Sequence, residues 1–381
     1  MKKTVVIIHP HFTIPGGAGK VILEIGKRLA KSVNVLCVAQ KINDVYVNDY
    51  KGINFHSLDG PTTNSFSFWL LFPYWQYKTW KTVNGYISAE TTILCSVFPS
   101  NWIIFPYKLF HPKVKIIWFC QEPSAFVQDT NWINAISNPV KRVLAKLFNP
   151  IFKVVDQNLA KIPNYILANS YYAKELIKKV YKRDSIVVYP GIDKKRFYPI
   201  PFSKKEDYIL TVSRLSKFKN IDILIKAYSK LINSRFRLKI VGNGEELNNL
   251  MKLCRKLEIS HRVDFLTKVS DSEIVKIYQK AKLFVLCSKN EPFGIVPVEA
   301  MACGTPVIAD ESGGPKETII NGKTGLLIKN IDPRNLCHAI ESVEGNLKDF
   351  SSNCSNYLSD KFDWKVDKIL TLLNSNSKFA K

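Results

Sequence analysis

Short apolar runs, many of them β-branched, recur along the first half of the chain and alternate with amphipathic segments. The runs predict buried strands at 4–9, 33–39, 92–97, 115–120, 165–168 and 186–189. Between the first two runs lies a glycine turn, and then Val21, Ile22, Ile25 and Leu29 recur at helical spacing. Strand, turn, helix and strand in this order predict a βαβ unit with a parallel sheet.

A second series of the same kind follows a proline-rich stretch at 190–201. It predicts strands at 208–213, 237–241, 263–266, 283–287 and 305–309, with helices at 221–231, 245–257, 271–281 and 295–303. The alternation predicts an α/β protein of two Rossmann-like domains with parallel sheets, whose strand ends face each other across a cleft. We place the first domain at 1–195, joined by a returning C-terminal helix at 362–381, and the second at 196–361, with a hinge at 190–201.

Length and composition agree with this division and narrow the function. The chain has 381 residues, 46% of them hydrophobic and 23% charged, which suits two packed domains and excludes a disordered protein. The net charge is +23, and residues 1–200 carry 26 basic and 11 acidic side chains. The first half should therefore meet an anionic partner: nucleic acid, acidic lipid or a phosphorylated small molecule.

The cysteines and the N-terminal residues indicate the cellular compartment of the protein. None of the eight cysteines forms a C-x-x-C pair, and most lie in apolar runs, as reduced core cysteines do. The apolar run that ends at Ile8 is too short for a signal peptide, and no run reaches the roughly 20 apolar residues of a membrane span. These features predict a cytoplasmic protein without a structural zinc site.

The most informative segment runs from Asn290 to Gly304 and leaves a predicted strand to enter a short helix. Glu291 precedes the turn and Glu299 lies about one helical turn inside. A helix start beside a glycine collects free N–H groups and the positive end of the helix dipole, so it can bind an anion. Two surface carboxylates near a helix start are the plain alternative.

Two further loops follow predicted strands. Arg214 and Lys219 come after the first strand of the second domain, where two cations can neutralise a diphosphate, although a solvated basic loop would look the same. Gly16 and Gly17 belong to the turn after the first strand, which matches neither a Walker loop nor G-x-G-x-x-G. His9 and His11 follow the first strand and could border the acceptor, although a turn histidine more often has no special role.

Together these segments resemble the retaining glycosyltransferases of family 4, which have the two-domain GT-B fold. The strongest element is the E-x7-E spacing of Glu291 and Glu299 within EPFGIVPVEAMACGTPVIA. The supporting elements, in family order over nearly the whole chain, are the GG turn, ANS at 168–170, YPGID at 189–193, SRL…K at 213–219, VGNGEE at 241–246 and SGGPKE…NGKTG at 312–325.

The resemblance implies a role for each matching residue. Catalytic roles fall to Glu291, which would bind donor-sugar hydroxyls, to Arg214 and Lys219, which would hold the diphosphate, and to Gln121. The donor-binding residues would be Gly16, Gly17, Val269, Phe293, Gly294, Ile295 and Glu299, with Glu299 on the ribose and Val269 near the base. The co-substrate would be a GDP- or UDP-linked sugar, with no other cofactor and no metal.

The chain departs from the family at two positions. Gln121-Glu122-Pro123 stands where the family often has His-Glu-Pro, and a glutamine cannot act as an acid or base at neutral pH. Proton transfer then uses the leaving phosphate, or Gln121 only positions the sugar. Asn220 stands where the family usually has glycine after the lysine.

Segments of the predicted first domain indicate which acceptor the protein uses. Residues 139–160 place Lys141, Arg142, Lys146 and Lys153 among apolar residues, and 66–80 and 102–110 are rich in Trp and Tyr. Such segments suit an interfacial helix on anionic lipid, or an ordinary core with solvated lysines. We expect a glycan or lipid-linked acceptor, peripheral contact with the inner face of the membrane, and no nucleic-acid partner.

The predicted function is transfer of a hexose, with mannose as first candidate, from a nucleotide-diphosphate sugar with retention and without a metal. The alternatives are a GT-B phosphorylase or sugar epimerase, or a non-enzymatic basic protein that binds nucleic acid or lipid. A lysine-bound pyridoxal cofactor would identify a phosphorylase, and a gel shift would identify a nucleic-acid binder.

Overall fold

The computed structural model describes residues 3–13, 16–63, 65–88, 90–128, 133, 139–231 and 234–375; the side chains at 105, 125, 126, 140, 141 and 358–361 are outside the description. These residues fall into two compact units: the described residues up to 189 together with 365–375, and those from 190 to 364. The observed boundary lies six residues before the predicted end of the first domain at 195. Of the predicted returning segment 362–381, residues 362–364 belong to the second unit and 376–381 lie outside the described residues.

The first unit is a seven-stranded parallel sheet with helices. Its strands are β1 Thr4–His9, β2 Asn34–Ala39, β3 Ile53–Ser57, β4 Thr91–Ser96, β5 Lys115–Phe119, β6 Tyr165–Ala168 and β7 Ile186–Val187. Its helices are α1 Gly17–Leu29, α2 Asp44–Val47, α3 Phe66–Leu70, α4 Phe72–Asn84, α5 Ser100–Ile103, α6 Phe105–Phe110, α7 Ala125–Gln128, α8 Pro139–Leu159 and α9 Tyr171–Tyr181. The strand order is β3-β2-β1-β4-β5-β6-β7, so the chain reverses direction across the sheet between β1 and β4.

The second unit has a six-stranded parallel sheet. Its strands are β8 Glu206–Val212, β9 Arg237–Val241, β10 Val263–Leu266, β11 Ala281–Leu286, β12 Val307–Asp310 and β13 Gly325–Ile328. Its helices are α10 Ile221–Tyr228, α11 Leu247–Lys256, α12 Asp271–Lys280, α13 Ile295–Ala302, α14 Pro315–Thr318, α15 Pro333–Glu344 and α16 Leu347–Lys361, with 3-10 turns at Phe202–Lys204, Lys217–Lys219 and Ser260–Arg262. The order β10-β9-β8-β11-β12-β13 reverses between β8 and β11.

Both sheets have the continuous apolar strands expected when helices cover both faces. In β1 every residue after Thr4 is buried, and β12 is buried throughout. The predicted class of two parallel-sheet α/β units is confirmed. The sequence patterns missed β3 and β13, which are the outermost strands at one edge of each sheet and are less completely buried.

The last described helix, α17 Asp367–Asn374, packs on the first unit although it follows the second in sequence. Lys115 Nζ donates to the carbonyl oxygens of Leu372 at 2.7 Å and Ser375 at 2.6 Å. Lys368 Nζ donates to the Val187 carbonyl at 3.0 Å. A lysine at the last carbonyls of a helix satisfies acceptors that have no partner within the helix.

Candidate active site

The strand order places two loops side by side in the second unit. In an open parallel sheet, ligands bind beyond the carboxyl ends of the strands where the order reverses. Here the reversal lies between β8 and β11, which pair directly. The loop after β8 carries Arg214 and Lys219, and the loop after β11 carries Glu291. The sheet topology therefore explains why the two loops are neighbours and why Lys219 and Glu291 occur together.

Lys219 and Glu291 form an ion pair although 72 residues separate them. Lys219 Nζ lies 2.6 Å from Glu291 Oε2, and the side chains are 28% and 22% exposed. Ser288 Oγ donates to the same carboxylate oxygen at 2.8 Å. The pair remains open to solvent, so a phosphate can reach the ammonium group and a sugar hydroxyl can reach the carboxylate. Ser288 was not predicted as a site residue. Its position just after β11, where ligands of parallel sheets bind, could have indicated it.

Asn220 shapes the loop that presents Lys219. Its backbone is left-handed, with φ of 52°, directly after the 3-10 turn and before α10. Asparagine is among the few residues other than glycine that adopt this conformation readily, so it can replace the glycine usual in the family. Its Nδ2 donates to the Cys287 carbonyl at 3.3 Å and thereby ties the two loops together.

Two glycines hold the loop that carries Glu291. A Cβ on Gly313 would lie 2.4 Å from the Glu291 carbonyl oxygen, and a Cβ on Gly314 would lie 2.4 Å from Phe293 Cα. Gly314 N–H also donates to the Glu291 carbonyl at 2.8 Å. Only glycine allows two backbone segments to approach so closely. The SGGP run, to which the sequence analysis assigned no role, therefore packs against the backbone of the Glu291 loop and holds it in place.

The start of α13 has the properties of an anion site. Gly294, with φ of 81°, precedes the helix and provides no side-chain cap, and the first turn holds no acidic residue. Pro297 lies in that first turn, where a backbone N–H would have no partner within the helix anyway. The backbone N–H groups at such an uncapped helix start have no partner within the helix and can bind an anion.

Glu299 differs from Glu291 in its surroundings. It is buried on α13, and its Oε2 accepts a hydrogen bond from the Tyr278 hydroxyl at 3.0 Å. Burial, and then the nearby carboxylate, raise the pKa of Tyr278 well above its usual value, so the phenol stays protonated and donates. Tyr278 was not predicted, because its position on α12 resembles that of any buried aromatic residue.

Arg214 lies on the surface of the same loop system. Its Nη2 is 3.5 Å from Glu245 Oε2, and the two side chains are 68% and 55% exposed. Such a pair contributes about 0–1 kcal/mol, so a diphosphate could replace the carboxylate at little cost. The loop itself is fixed, because a Cβ on Gly242 would lie 1.9 Å from the Ser213 carbonyl oxygen. Val269 is half-buried in the loop before α12.

The predicted residues of the first unit also gather in one place. Gln121, which is buried, donates through Nε2 to the Ala18 carbonyl at 3.1 Å, next to Gly16 and Gly17 at the start of α1. His9 ends β1 and stacks on Phe12 with 4.5 Å between ring centroids. Burial, with a smaller contribution from His11, lowers the pKa of His9 to about 3, so its ring is neutral at pH 7.

Other kinds of site are considered by their residue types and helix lengths. Within the described part of the chain, no three His, Cys, Asp or Glu side chains gather in a way that could hold a metal ion. No described helix is both long and apolar enough to cross a bilayer. The eight cysteines are buried and unpaired.

Comparison with known proteins finds similarity to a family of enzymes in the second unit. Residues 192–358 match the sequence profile of glycosyl transferases group 1. A D-inositol 3-phosphate glycosyltransferase of Mycobacterium sp. (strain KMS) is 32% identical over 209 residues, which are 51% of this chain and 48% of that protein. The chain thus spans about half the length of the curated relatives it matches first. An uncharacterized glycosyltransferase of Methanocaldococcus jannaschii, MJ1069, is 26% identical over 96% of both chains.

Comparison with solved structures gives the fold of the whole chain. The crystal structure of Anabaena Alr3699/HepE in complex with UDP and glucose superposes with a TM-score of 0.79 at 21% identity, over 98% of this chain and 100% of that chain. Both units take part in this match. Residues 192–358 are therefore similar to glycosyl transferases group 1, and the chain as a whole has the GT-B fold.

Proposed function

We propose that this protein transfers a hexose from a nucleotide-diphosphate sugar to a hydroxyl of a glycan or lipid-linked acceptor, with retention of configuration. The observation that supports it most is the meeting of Lys219, Glu291 and the uncapped start of α13 at the reversal of the second sheet. A cation and free N–H groups suit a diphosphate, and a carboxylate beside them suits sugar hydroxyls.

The residues divide the work of bond breaking. As the bond between the anomeric carbon and the phosphate oxygen breaks, positive charge grows on the sugar and negative charge on the nucleotide. Lys219, Arg214 and the backbone N–H groups at Gly294 and Ile295 would stabilise the departing phosphate electrostatically. Glu291 would hold the sugar hydroxyls, and Glu299 would hold the ribose.

Retention follows if the acceptor attacks the face that the phosphate leaves. The acceptor oxygen then bonds to the anomeric carbon, and its proton passes to the leaving phosphate oxygen. Gln121, which cannot exchange a proton at neutral pH, would orient the sugar or acceptor by hydrogen bonds. This route needs no protein nucleophile, whereas a double displacement would need one.

Two donors and one class of acceptor have support. The run WFCQEP resembles mannosyl-transferring relatives, which makes GDP-mannose the first donor to test. The UDP and glucose held by HepE make UDP-glucose the second. The basic first half of the chain supports an acceptor that is anionic or lies on an anionic membrane surface.

The test is a thermal-shift screen of the full chain over GDP- and UDP-sugars, followed by turnover and NMR of the anomeric product. Glu291→Ala, Lys219→Ala and Arg214→Ala should each nearly abolish turnover and keep the fold. Lys226→Ala is the matched control, because Lys226 forms an exposed pair with Asp222 at 2.8 Å on α10. Absence of binding to every nucleotide sugar, or full turnover in Lys219→Ala, would overturn the assignment; an inverted product would overturn retention alone.

A further inference from the structure

Helix α8 buries polar residues and exposes apolar ones, which is the reverse of the usual arrangement. On a helix packed against a soluble domain, apolar residues face inward and polar residues face water. Among the described side chains of α8, the two buried residues are polar, Asn149 and Asp156, spaced one heptad apart. The opposite face is apolar and exposed, and consists of Val143, Leu144, Leu147, Phe148, Ile151, Phe152, Val154 and Val155. We refer to these eight residues as the α8 face.

Hydrogen bonds fix this orientation of the helix. The Asp156 carboxyl accepts from Trp102 Nε1 at 2.8 Å, Tyr181 hydroxyl at 2.8 Å and Gln128 Nε2 at 2.9 Å. Asn149 Nδ2 donates to the Val127 carbonyl at 2.8 Å. Rotating the helix to bury its apolar face would break all of these bonds in a buried place, at a cost for each group left without a partner. The α8 face is therefore exposed because the inner face is specifically bound.

Aromatic contacts through Trp102, which is itself buried, link α8 to α4 and α3. The Phe152 ring lies 6.0 Å from that of Trp102, which lies 6.3 Å from that of Phe72 at the start of α4. On the adjoining α3, Phe66 is 76% exposed and Leu70 is 67% exposed. Exposed apolar side chains thus lie both on α8 and on α3, and a large exposed apolar patch marks an interaction site.

Charge identifies the partner. Residues 61–170 contain ten basic and four acidic side chains. On α8 the one acidic residue, Asp156, is buried, whereas Lys146 is exposed and Arg142 and Lys153 are half-buried. An apolar helix face accompanied by cations and by no exposed carboxylate of its own matches the acyl and headgroup boundary of an anionic bilayer.

We propose that the α8 face, with the adjoining surface of α3, docks on the interface of an anionic lipid bilayer, with α8 lying in the membrane plane. Because Asn149 and Asp156 bind the segment at 127–128 that follows Gln121, the docked helix and the acceptor-side loop would form one structure at the lipid surface. The inference rests on the proposed function only in that docking would bring the enzyme to a lipid-linked acceptor.

The experiment is vesicle flotation of the full chain at low salt, without donor or acceptor. Wild type should float with vesicles that contain phosphatidylglycerol and much less with phosphatidylcholine alone. The double variant Leu147→Gln/Ile151→Gln should reduce bound protein about tenfold or more, since both side chains are exposed and apolar burial drives such binding. Lys146→Gln should weaken binding only to the anionic vesicles. Val45→Gln is the control, an 85% exposed apolar residue on α2.

Three results would overturn the proposal. The first is failure of wild type to float with anionic vesicles, and the second is equal flotation of the double variant. The third is a dimer in light scattering that the double variant dissociates, which would make the α8 face a contact between two copies. Circular dichroism confirms that each variant is folded. Nucleotide-sugar binding, measured by thermal shift on the same samples, separates failure of docking from failure of the transferase assignment.

Discussion

Gly314→Ala tests whether the SGGP run positions the catalytic loop. Gly314 has φ of −62° and ψ of −29°, a conformation open to any residue, so an added methyl group brings no backbone strain. The only obstacle is steric: the new Cβ would lie 2.4 Å from Phe293 Cα and 2.6 Å from the Pro292 carbonyl oxygen. Both contacts are backbone atoms, which cannot move aside as a flexible side chain can.

The size of the effect follows from these distances. Ordinary contact of a Cβ begins at 3.4 Å, so relief requires a backbone shift of about 1 Å in the Glu291 loop or in its support. Overpacking of this kind costs about 1–3 kcal/mol of stability. A displacement of about 1 Å near reacting groups can lower kcat/KM about 10²-fold. We therefore expect a large loss of turnover in a protein that still folds.

The assay combines donor turnover, separated into kcat and KM, with thermal unfolding. Gly345→Ala is the matched control: its φ is −69°, its ψ is −22° and nothing lies within 4 Å of the added Cβ, so activity should be unchanged. If Gly314→Ala does not fold, Ser312→Ala removes only the bond from Asn290 N–H to Ser312 Oγ, which is 2.8 Å long. Turnover of folded Gly314→Ala within twofold of wild type would refute the positioning role.

Three more outcomes are expected. Tyr278→Phe leaves a buried oxygen of Glu299 without this donor, so urea unfolding should show a loss of about 1–3 kcal/mol, and an unchanged unfolding curve would contradict it. The pKa of His9 is about 3 in the folded state and 6.5 in the unfolded state, so the unfolded state binds the proton first as pH falls. The free energy of unfolding should therefore drop by about 2 kcal/mol from pH 6.5 to 5, and His9→Asn should remove this dependence on pH. Burial lowers the pKa of Lys205 from 10.5 to about 8, so between pH 8 and 10.5 only the unfolded state has this lysine protonated. The free energy of unfolding should therefore rise with pH over this range, and Lys205→Met should not show the increase.

Local chemistry determined most of the secondary structure. Runs such as Arg237–Val241 and Val263–Leu266 were predicted at the observed bounds because strands buried on both faces are continuous apolar stretches. Ile53–Ser57 alternates in burial at the sheet edge, and Gly325–Ile328 is largely half-buried. Their residues give a weak pattern, because an edge strand is covered on fewer sides.

The sequence by itself determined that the chain forms two parallel α/β units and that its unusual residues follow strands. Only the tertiary structure decided which of those residues meet: pairing of β8 with β11 joins Lys219 to Glu291, while Glu299 turns inward to Tyr278. The same holds for α8, whose apolar and basic pattern fits either a core helix or an interfacial one. Which face α8 buries depends on hydrogen-bond donors such as Trp102 and Tyr181, which lie far from Asp156 in sequence. The local pattern of apolar and polar residues cannot predict such distant partners.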